Sequence, residues 1–167
     1  MKLLDFFRGR RDGKGAVAPE DLEPKPEEWS VVTIRNAELG QSVVMRVRFE
    51  KPGRADLATL RAAIVVKWPY ESENRMPPPE TNRLQLDFER ALDPLMPSEE
   101  SELVHVSTGL GLKEWIFYAR DSGIFLERFN ELLAGHPAYP LEIEIYDDPD
   151  WKVWAEMVDS LRERTDS

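Results

Sequence analysis

The chain has 167 residues, of which 41% are hydrophobic and five are tryptophan, and this is the composition of a globular domain rather than of a disordered segment. It contains no cysteine, which excludes disulfides and thiolate metal sites, and its two histidines are too few for a multi-histidine metal site. A net charge of −10 disfavours direct binding to nucleic acid, because such binding depends largely on Lys and Arg contacts to phosphates.

Residues 1–26 are predicted to form a flexible arm and linker, and residues 27–167 a single domain. The first 14 residues carry five basic and two acidic side chains, a net +3 that leaves −13 on residues 15–167. The stretch from Met1 to Arg11 combines apolar and basic residues, so a weak tether to a membrane surface is an alternative to a frayed tail. No apolar run approaches the ~20 residues of a membrane span. No secretion signal is recognised, and a cytoplasmic protein is expected.

The pattern of the next segments predicts an N-terminal β-hairpin followed by a buried strand and a helix. Residues 28–36 and 41–50 alternate apolar with polar side chains, and residues 36–40 form the turn. Residues 63–68 are the most apolar strand candidate. After the proline-rich loop 71–79, helical spacing of apolar residues predicts a helix that Asp93-Pro94 should end.

A central strand is predicted over residues 112–120, because large apolar side chains occupy both of its faces. Residues 103–106 should pair with it through the Gly109–Gly111 connection. A three-residue turn there would place His105 opposite Trp115. Since no Ser or Cys partner is visible, His105 is interpreted as a packed residue rather than a general base. The residues of the two faces are Trp115, Phe117 and Ala119 on one side, and Ile116 and Tyr118 on the other.

The C-terminal third is predicted to form a helix, a strand and a second helix. The first helix begins at Asp121 or Ser122 and ends before Gly135. Residues 141–145 alternate apolar side chains with Glu142 and Glu144, as in an edge strand with one wet face. Asp148 should then cap a helix with Pro149 in its first position. The stripe Trp151, Trp154, Val158 and Leu161 should cover the sheet face that the other helices leave open.

From residue 63 onward the predicted order is strand, helix, strand, strand, helix, strand. This order predicts an α+β domain of the ferredoxin-like βαββαβ class, with an extra N-terminal β-hairpin and a C-terminal helix.

Several motifs resemble one bacterial family, the domain of unknown function 695, over roughly residues 27–160. The motifs are Glu114-Trp115-Ile116-Phe117-Tyr118, the helix with Phe125 and Asn130, Tyr139-Pro140-Leu141-Glu142-Ile143, and Asp148-Pro149-Asp150-Trp151. Trp68-Pro69-Tyr70 and Met76-Pro77 are also similar, although Arg75 stands where a glycine is expected. The Asp-Asp-Pro-Asp-Trp element is in addition similar to the regulator of ribonuclease E activity B family. The resemblance implies a fold and a broad class, and no catalytic residues.

Two interpretations are possible for a cluster of acidic residues near the C-terminus. The cluster consists of Asp147, Asp148 and Asp150, with Glu142 and Glu144 nearby. They could hold Mg²⁺ or Ca²⁺ in a metal-dependent hydrolase, although their spacing matches no calcium loop. Otherwise they form a solvated strand face joined to a helix cap.

A non-enzymatic interaction or regulatory module is therefore expected, with no cofactor and no metal. Its partner would be a protein with a basic surface, since the domain is strongly acidic. The residues expected to bind this partner are Glu142, Glu144, Asp147 and Asp150.

Overall fold

The computed structural model describes residues 29–164. The predicted arm over residues 1–26, and with it the hypothesis of a membrane tether from Met1 to Arg11, lies outside the described residues.

Within the described range the chain forms a mixed α+β fold of six strands and three α-helices. The strands are β1 (Ser30–Asn36), β2 (Gln41–Val47), β3 (Ala62–Pro69), β4 (Ser101–Gly109), β5 (Leu112–Ala119) and β6 (Glu142–Asp147). The helices are α1 (Pro79–Ala91), α2 (Ser122–Leu133) and α3 (Lys152–Glu163), with short 3₁₀ turns at Leu57–Thr59 and Asp93–Leu95.

The six strands form one sheet in the order β1-β2-β4-β5-β3-β6, and every neighbouring pair is antiparallel. The N-terminal hairpin adds β1 and β2 beside β4, so β1 and β6 are the two edges. The predicted central position of β5 is confirmed, since it lies between β4 and β3.

The sheet separates two apolar layers, as the double-sided pattern of β5 predicts. On one face Trp115 and Phe117 pack with Phe88 of α1 and Phe125 of α2. On the other face the layer of Ile116 and Tyr118 is covered by α3, whose Trp154, Met157, Val158 and Leu161 are buried there with Trp151. The prediction that the last helix covers the face left open by α1 and α2 is therefore confirmed.

The turn between β4 and β5 differs from the prediction. It has two residues, Leu110 and Gly111, and both have positive φ (59° and 76°), the conformation of the tight hairpin turns that follow the twist of a sheet. A register shift between Leu103 and His105 adds a bulge. The two-residue turn, and not the bulge, places His105 opposite Ile116 rather than opposite Trp115. At Gly109 a Cβ would stand only 2.4 Å from the Ser42 carbonyl oxygen, so β2 can approach this strand only because position 109 is glycine.

The start of α3 also differs from the prediction, because the helix begins at Lys152 and Pro149 lies outside it. The backbone N–H of Trp151 donates to the Asp148 carbonyl in a turn, and Trp151 takes the left-handed conformation with φ 57°. Asp148 nonetheless caps the helix, because its side chain reaches forward to the first helical amides.

The edge position of β6 is confirmed, but its predicted buried face is wrong. Ile143 and Ile145 are 37% and 44% exposed. They lie opposite Val66 and Ile64 of β3, on the face of α1 and α2. The two helices pack over the central strands, so the isoleucines at the edge remain in contact with water.

The packing of α3 yields a first prediction, on stability. Trp154→Ala should lower the free energy of unfolding by about 3–5 kcal/mol, because it removes a large side chain that is 9% exposed and whose indole N–H donates to the Arg48 carbonyl at 2.9 Å. Urea denaturation measures the change. The exposed Ile124→Ala on α2 is the control and should cost far less. An unfolding free energy within 1 kcal/mol of the parent for Trp154→Ala would contradict this packing.

Candidate functional site

The acidic residues near the end of β6 do not act together, because the fold places them in three different environments. Asp148 is buried, Glu144 is half-buried, and Glu142, Asp147 and Asp150 are exposed.

Asp148 is held at the junction between the sheet and α3. Its carboxylate accepts hydrogen bonds from the Tyr118 hydroxyl (2.7 Å) and from the backbone amides of Lys152 (2.8 Å) and Val153 (2.9 Å). The same hydroxyl accepts from the amide of Trp154 at 3.1 Å. Burial is the main cause that raises the pKa of Tyr118, and the hydrogen bond to Asp148 is the second cause. The phenol therefore stays protonated. Asp148 is thus a structural acceptor and is not available as a metal ligand.

Trp151 completes this junction. Its ring stacks on Tyr118 with centroids 3.8 Å apart and planes 8° from parallel, and its indole N–H donates to the Leu60 carbonyl at 2.8 Å. The left-handed backbone at position 151 aims the side chain into the sheet face just before α3 begins.

Glu144 was expected to be free of structural contacts, and this expectation is wrong. Its carboxylate pairs with the buried ammonium group of Lys67 at 2.7 Å and also accepts a hydrogen bond from the Tyr146 hydroxyl. Lys67 lies on β3, the only strand that pairs with β6 among the described residues. Glu144 therefore neutralises a buried cation and belongs to the fold.

The outer edge of β6 combines exposed charge with exposed apolar surface. The carboxylates of Glu142 and Asp147 stand at its two ends, and Asp150 follows in the next turn. Between the two ends lie Ile143 and Ile145. We call residues 142–147 together with Asp150 the acidic edge. The isoleucines were missed as surface residues because their alternation with glutamate is also the pattern of a strand with a buried face.

His105 is fully buried, and neither ring nitrogen has a hydrogen-bond partner. It lies between Val47 of β2 and Ile116 of β5, so apolar side chains flank it in the sheet. Burial lowers the pKa of His105 to about 3, so the ring is neutral at pH 7. A base with no polar neighbour and no access to water cannot serve as a catalyst, and the packed interpretation stands.

A groove of about 540 Å³ lies between α1 and the loop that follows α2. Asp87 pairs with Arg83 at 3.3 Å and with Arg90 at 3.5 Å along its wall. Opposite them, His136 Nδ1 lies 2.9 Å from the Tyr139 hydroxyl. No Ser, Thr or Cys lines the groove, and its one hydroxyl is the phenol of Tyr139.

Residues 29–164 contain neither a metal-binding cluster nor a membrane-spanning helix. Across residues 29–164, no group of three or more His, Asp or Glu side chains is arranged to hold a metal ion. Over the same range, no helix has the length and apolar character needed to cross a membrane.

Arg75 has a backbone that accounts for the glycine expected there. Its φ is 64°, in the left-handed region that favours glycine. The Arg75 carbonyl accepts from the amide of Gly111 (2.9 Å) and from the Tyr70 hydroxyl (3.1 Å), which joins the loop after β3 to the β4–β5 turn. The guanidinium donates to the Leu110 carbonyl at 3.1 Å, a contact that glycine could not make.

The geometry at Asp148 predicts a large cost for its removal. Asp148→Ala should lower the free energy of unfolding by roughly 2–3 kcal/mol, since the helix cap is lost and the buried Tyr118 hydroxyl loses its acceptor. Asp150→Ala, which removes an exposed carboxylate two residues away, is the matched control and should change it by less than about 0.5 kcal/mol. Equal effects of the two variants in chemical denaturation would refute the structural role of Asp148.

His105 predicts a pH dependence of stability. The pKa of His105 is lower in the folded than in the unfolded protein. With respect to this residue, the free energy of unfolding is therefore at its full value above about pH 6.5 and decreases as the pH drops towards 3. Over that pH range the unfolded chain binds a proton at His105 that the folded chain does not bind. The free energy of unfolding therefore falls by up to about 1.4 kcal/mol for each pH unit. His105→Leu should flatten the curve of unfolding free energy against pH. His136→Asn should not flatten it, and identical slopes for the parent and His105→Leu would contradict the prediction.

Comparison with known proteins gives one match. The model of the family of unknown function (DUF695) matches residues 27–158, which include all six strands, α1 and α2, and the junction at Asp148. Neither the search of curated proteins nor the search of solved structures found a match. The similarity to the regulator of ribonuclease E activity B family stays a prediction. Because the family model covers well over half of the sequence, the chain belongs to the family of unknown function DUF695.

Proposed function

We propose that this protein is a non-enzymatic interaction or regulatory module whose acidic edge binds an extended, basic segment of a partner protein. The observation that carries the proposal is the open outer side of β6, where exposed isoleucines lie between exposed carboxylates.

The backbone of β6 supplies the first part of the argument. Among the described residues β6 pairs with β3 alone, so its outer side borders no described strand. Such an edge is a template onto which a peptide can add as a further strand. Main-chain hydrogen bonds would supply affinity, and the alternating side chains would supply specificity.

The side chains determine the chemistry of the segment that fits. Ile143, Ile145 and Tyr146 are each more than a third exposed, and they offer apolar contacts. Glu142 and Asp147 place negative charge at both ends of the strand. The chain as a whole carries −10, which attracts cationic segments and speeds their encounter. An extended segment that alternates basic with apolar residues satisfies all three features.

The fold is consistent with this use of the edge. The strand order β4-β5-β3-β6, with all pairs antiparallel and helices between β3 and β4 and between β5 and β6, supports the ferredoxin-like interpretation of residues 62–147. An open sheet of this kind keeps β6 at its border, with no helix of the described residues over the exposed isoleucines. The similarity of Asp147–Trp151 to a ribonuclease regulator family supports a regulatory role.

The metal-dependent hydrolase is not retained as a second candidate. The carboxylate of Asp148, the central residue of the acidic cluster, already accepts three hydrogen bonds. The carboxylate of Glu144 is paired with Lys67. The remaining exposed carboxylates have no neighbours arranged as ligands in residues 29–164.

The proposal predicts salt-sensitive binding that depends on residues of the edge. A fluorescent peptide that alternates lysine and valine over roughly eight residues, long enough to span β6, is the probe. Glu142→Lys with Asp147→Lys should weaken its binding, and the affinity should then fall less steeply with added salt. Fluorescence anisotropy at low and high salt measures both effects. The double variant should melt within a few degrees of the parent, since both side chains are exposed.

Two controls distinguish addition of the peptide as a strand on β6 from general attraction of the basic peptide to the negative charge of the protein. Asp159→Lys with Glu127→Lys makes the same charge change on α3 and α2, at exposed positions outside the edge, and should affect binding far less. A peptide N-methylated at every second residue on its pairing side keeps its charge but cannot form a strand ladder, and it should not bind. Equal binding of the methylated peptide, or equal loss in the two double variants, would overturn the proposal.

A further inference from the structure

The opposite border of the sheet is chemically different from the acidic edge. Strand β1 pairs only with β2 among the described residues, in an unbroken register from Ser30↔Val47 to Asn36↔Gln41. Natural edge strands are commonly protected by proline, lysine, a bulge or shortness. β1 has no proline, lysine or bulge, runs for seven residues with a regular ladder, and exposes 56% of Val31; its one charged side chain is Arg35.

We propose that β1 pairs antiparallel with β1 of a second copy of this chain and joins two sheets into one across a twofold axis at Thr33. This interface is separate from the acidic edge and does not depend on the function proposed for it.

The sequence of β1 is complementary to itself in this register. Pairing centred on Thr33 uses all seven residues and sets Thr33 against Thr33, Val32 against Ile34, and Val31 against Arg35 of the second copy. Threonine pairs are favourable across antiparallel strands, and no like charges stand opposite each other. A twofold contact must be self-complementary in this way.

The inner face of β1 continues the core. Val32 and Ile34 are 0% and 1% exposed and belong to the apolar layer beneath α3. In the joined sheet the same two residues of the second copy would extend that layer across the axis. The outward face, with Val31 and Arg35, meets its counterpart at the surface.

The acidic edge cannot pair with itself as readily. A β6 pair centred on Glu144 sets Glu144 against Glu144, and a pair centred on Ile143 sets Glu142 against Glu144, so only the shorter pair centred on Ile145, over residues 143–147, avoids like charges. Like charges directly opposite destabilise a strand pair. A second copy therefore fits β1, and a basic segment fits β6.

The interface implies a weak dimer with an unusual salt dependence. One seven-residue strand pair buries less surface than a stable interface requires. Each copy carries −10, so long-range repulsion opposes association, and salt screens it. Dimerisation should strengthen with added salt, whereas binding of a basic peptide at the acidic edge should weaken.

Sedimentation velocity of the full chain, from ~5 μM to ~1 mM at low and high salt, tests the proposal. The parent should show a reversible monomer–dimer equilibrium that salt favours. Val31→Lys should weaken dimerisation at least tenfold, because the new lysine faces Arg35 of the second copy. Adding Arg35→Glu should restore the dimer, because each lysine would then face a glutamate. Leu39→Lys makes the same charge change in the exposed β1–β2 turn and should behave as the parent does.

Within one chain Val31 also lies opposite Arg46, so Val31→Lys creates an internal repulsion as well. The double variant keeps that repulsion, and restored dimerisation would therefore report the contact between copies alone. Melting temperatures confirm that each variant is folded. A parent that stays monomeric at ~1 mM in high salt, a Val31→Lys variant that dimerises like Leu39→Lys, or a double variant that does not recover would each overturn the proposal.

Discussion

The junction between Tyr118 and Asp148 is the interaction on which the arrangement of the two layers depends. One hydroxyl and one carboxylate satisfy three amides at the start of α3 and fasten that start to the middle strand of the sheet. Trp151 stacks on the same phenol and fills the space beside it. Because this cluster joins the first turn of α3 to β5, it fixes where the helix crosses the sheet. With α3 in position, one face of the sheet is closed and the core layer under it is complete.

Closing both faces leaves the borders of the sheet as its accessible backbone. A closed barrel would have no such borders, whereas within residues 29–164 this sheet ends at β1 and β6. The two borders carry different side chains: glutamate, aspartate and isoleucine on β6, and valine, threonine and arginine on β1. This difference in charge suits the two borders to different partners, a basic segment at β6 and a second copy at β1, as we propose. In the groove beside α1, by contrast, Arg83 and Arg90 already have acidic partners.

Much of the fold could be predicted from the sequence because the relevant patterns are local. Alternation in β5 identified a strand with two buried faces, and the spacing from Trp151 to Leu161 identified the helix that covers one of them. The errors concern features set by distant neighbours. Glu144 is engaged because Lys67, 77 positions earlier in the chain, lies on the adjacent strand. His105 faces Ile116 because the turn has two residues, Leu110 and Gly111, rather than three. The alternating charges of β6 predict its edge position, which is confirmed. They also predict buried isoleucines, and this is wrong because the placement of the helices decides which face of a strand is buried.

Amide hydrogen exchange in the presence of the alternating lysine–valine peptide tests the central claim, that the sheet acts through its acidic edge, most directly. Strand addition gives outward-facing amides a hydrogen-bond partner and slows their exchange. The account predicts that added peptide protects amides within residues 142–147 and leaves those of β1 and of the groove beside α1 unchanged. Protection confined to α1 and the loop around His136, or no change in β6 at a peptide concentration that saturates binding, would contradict it.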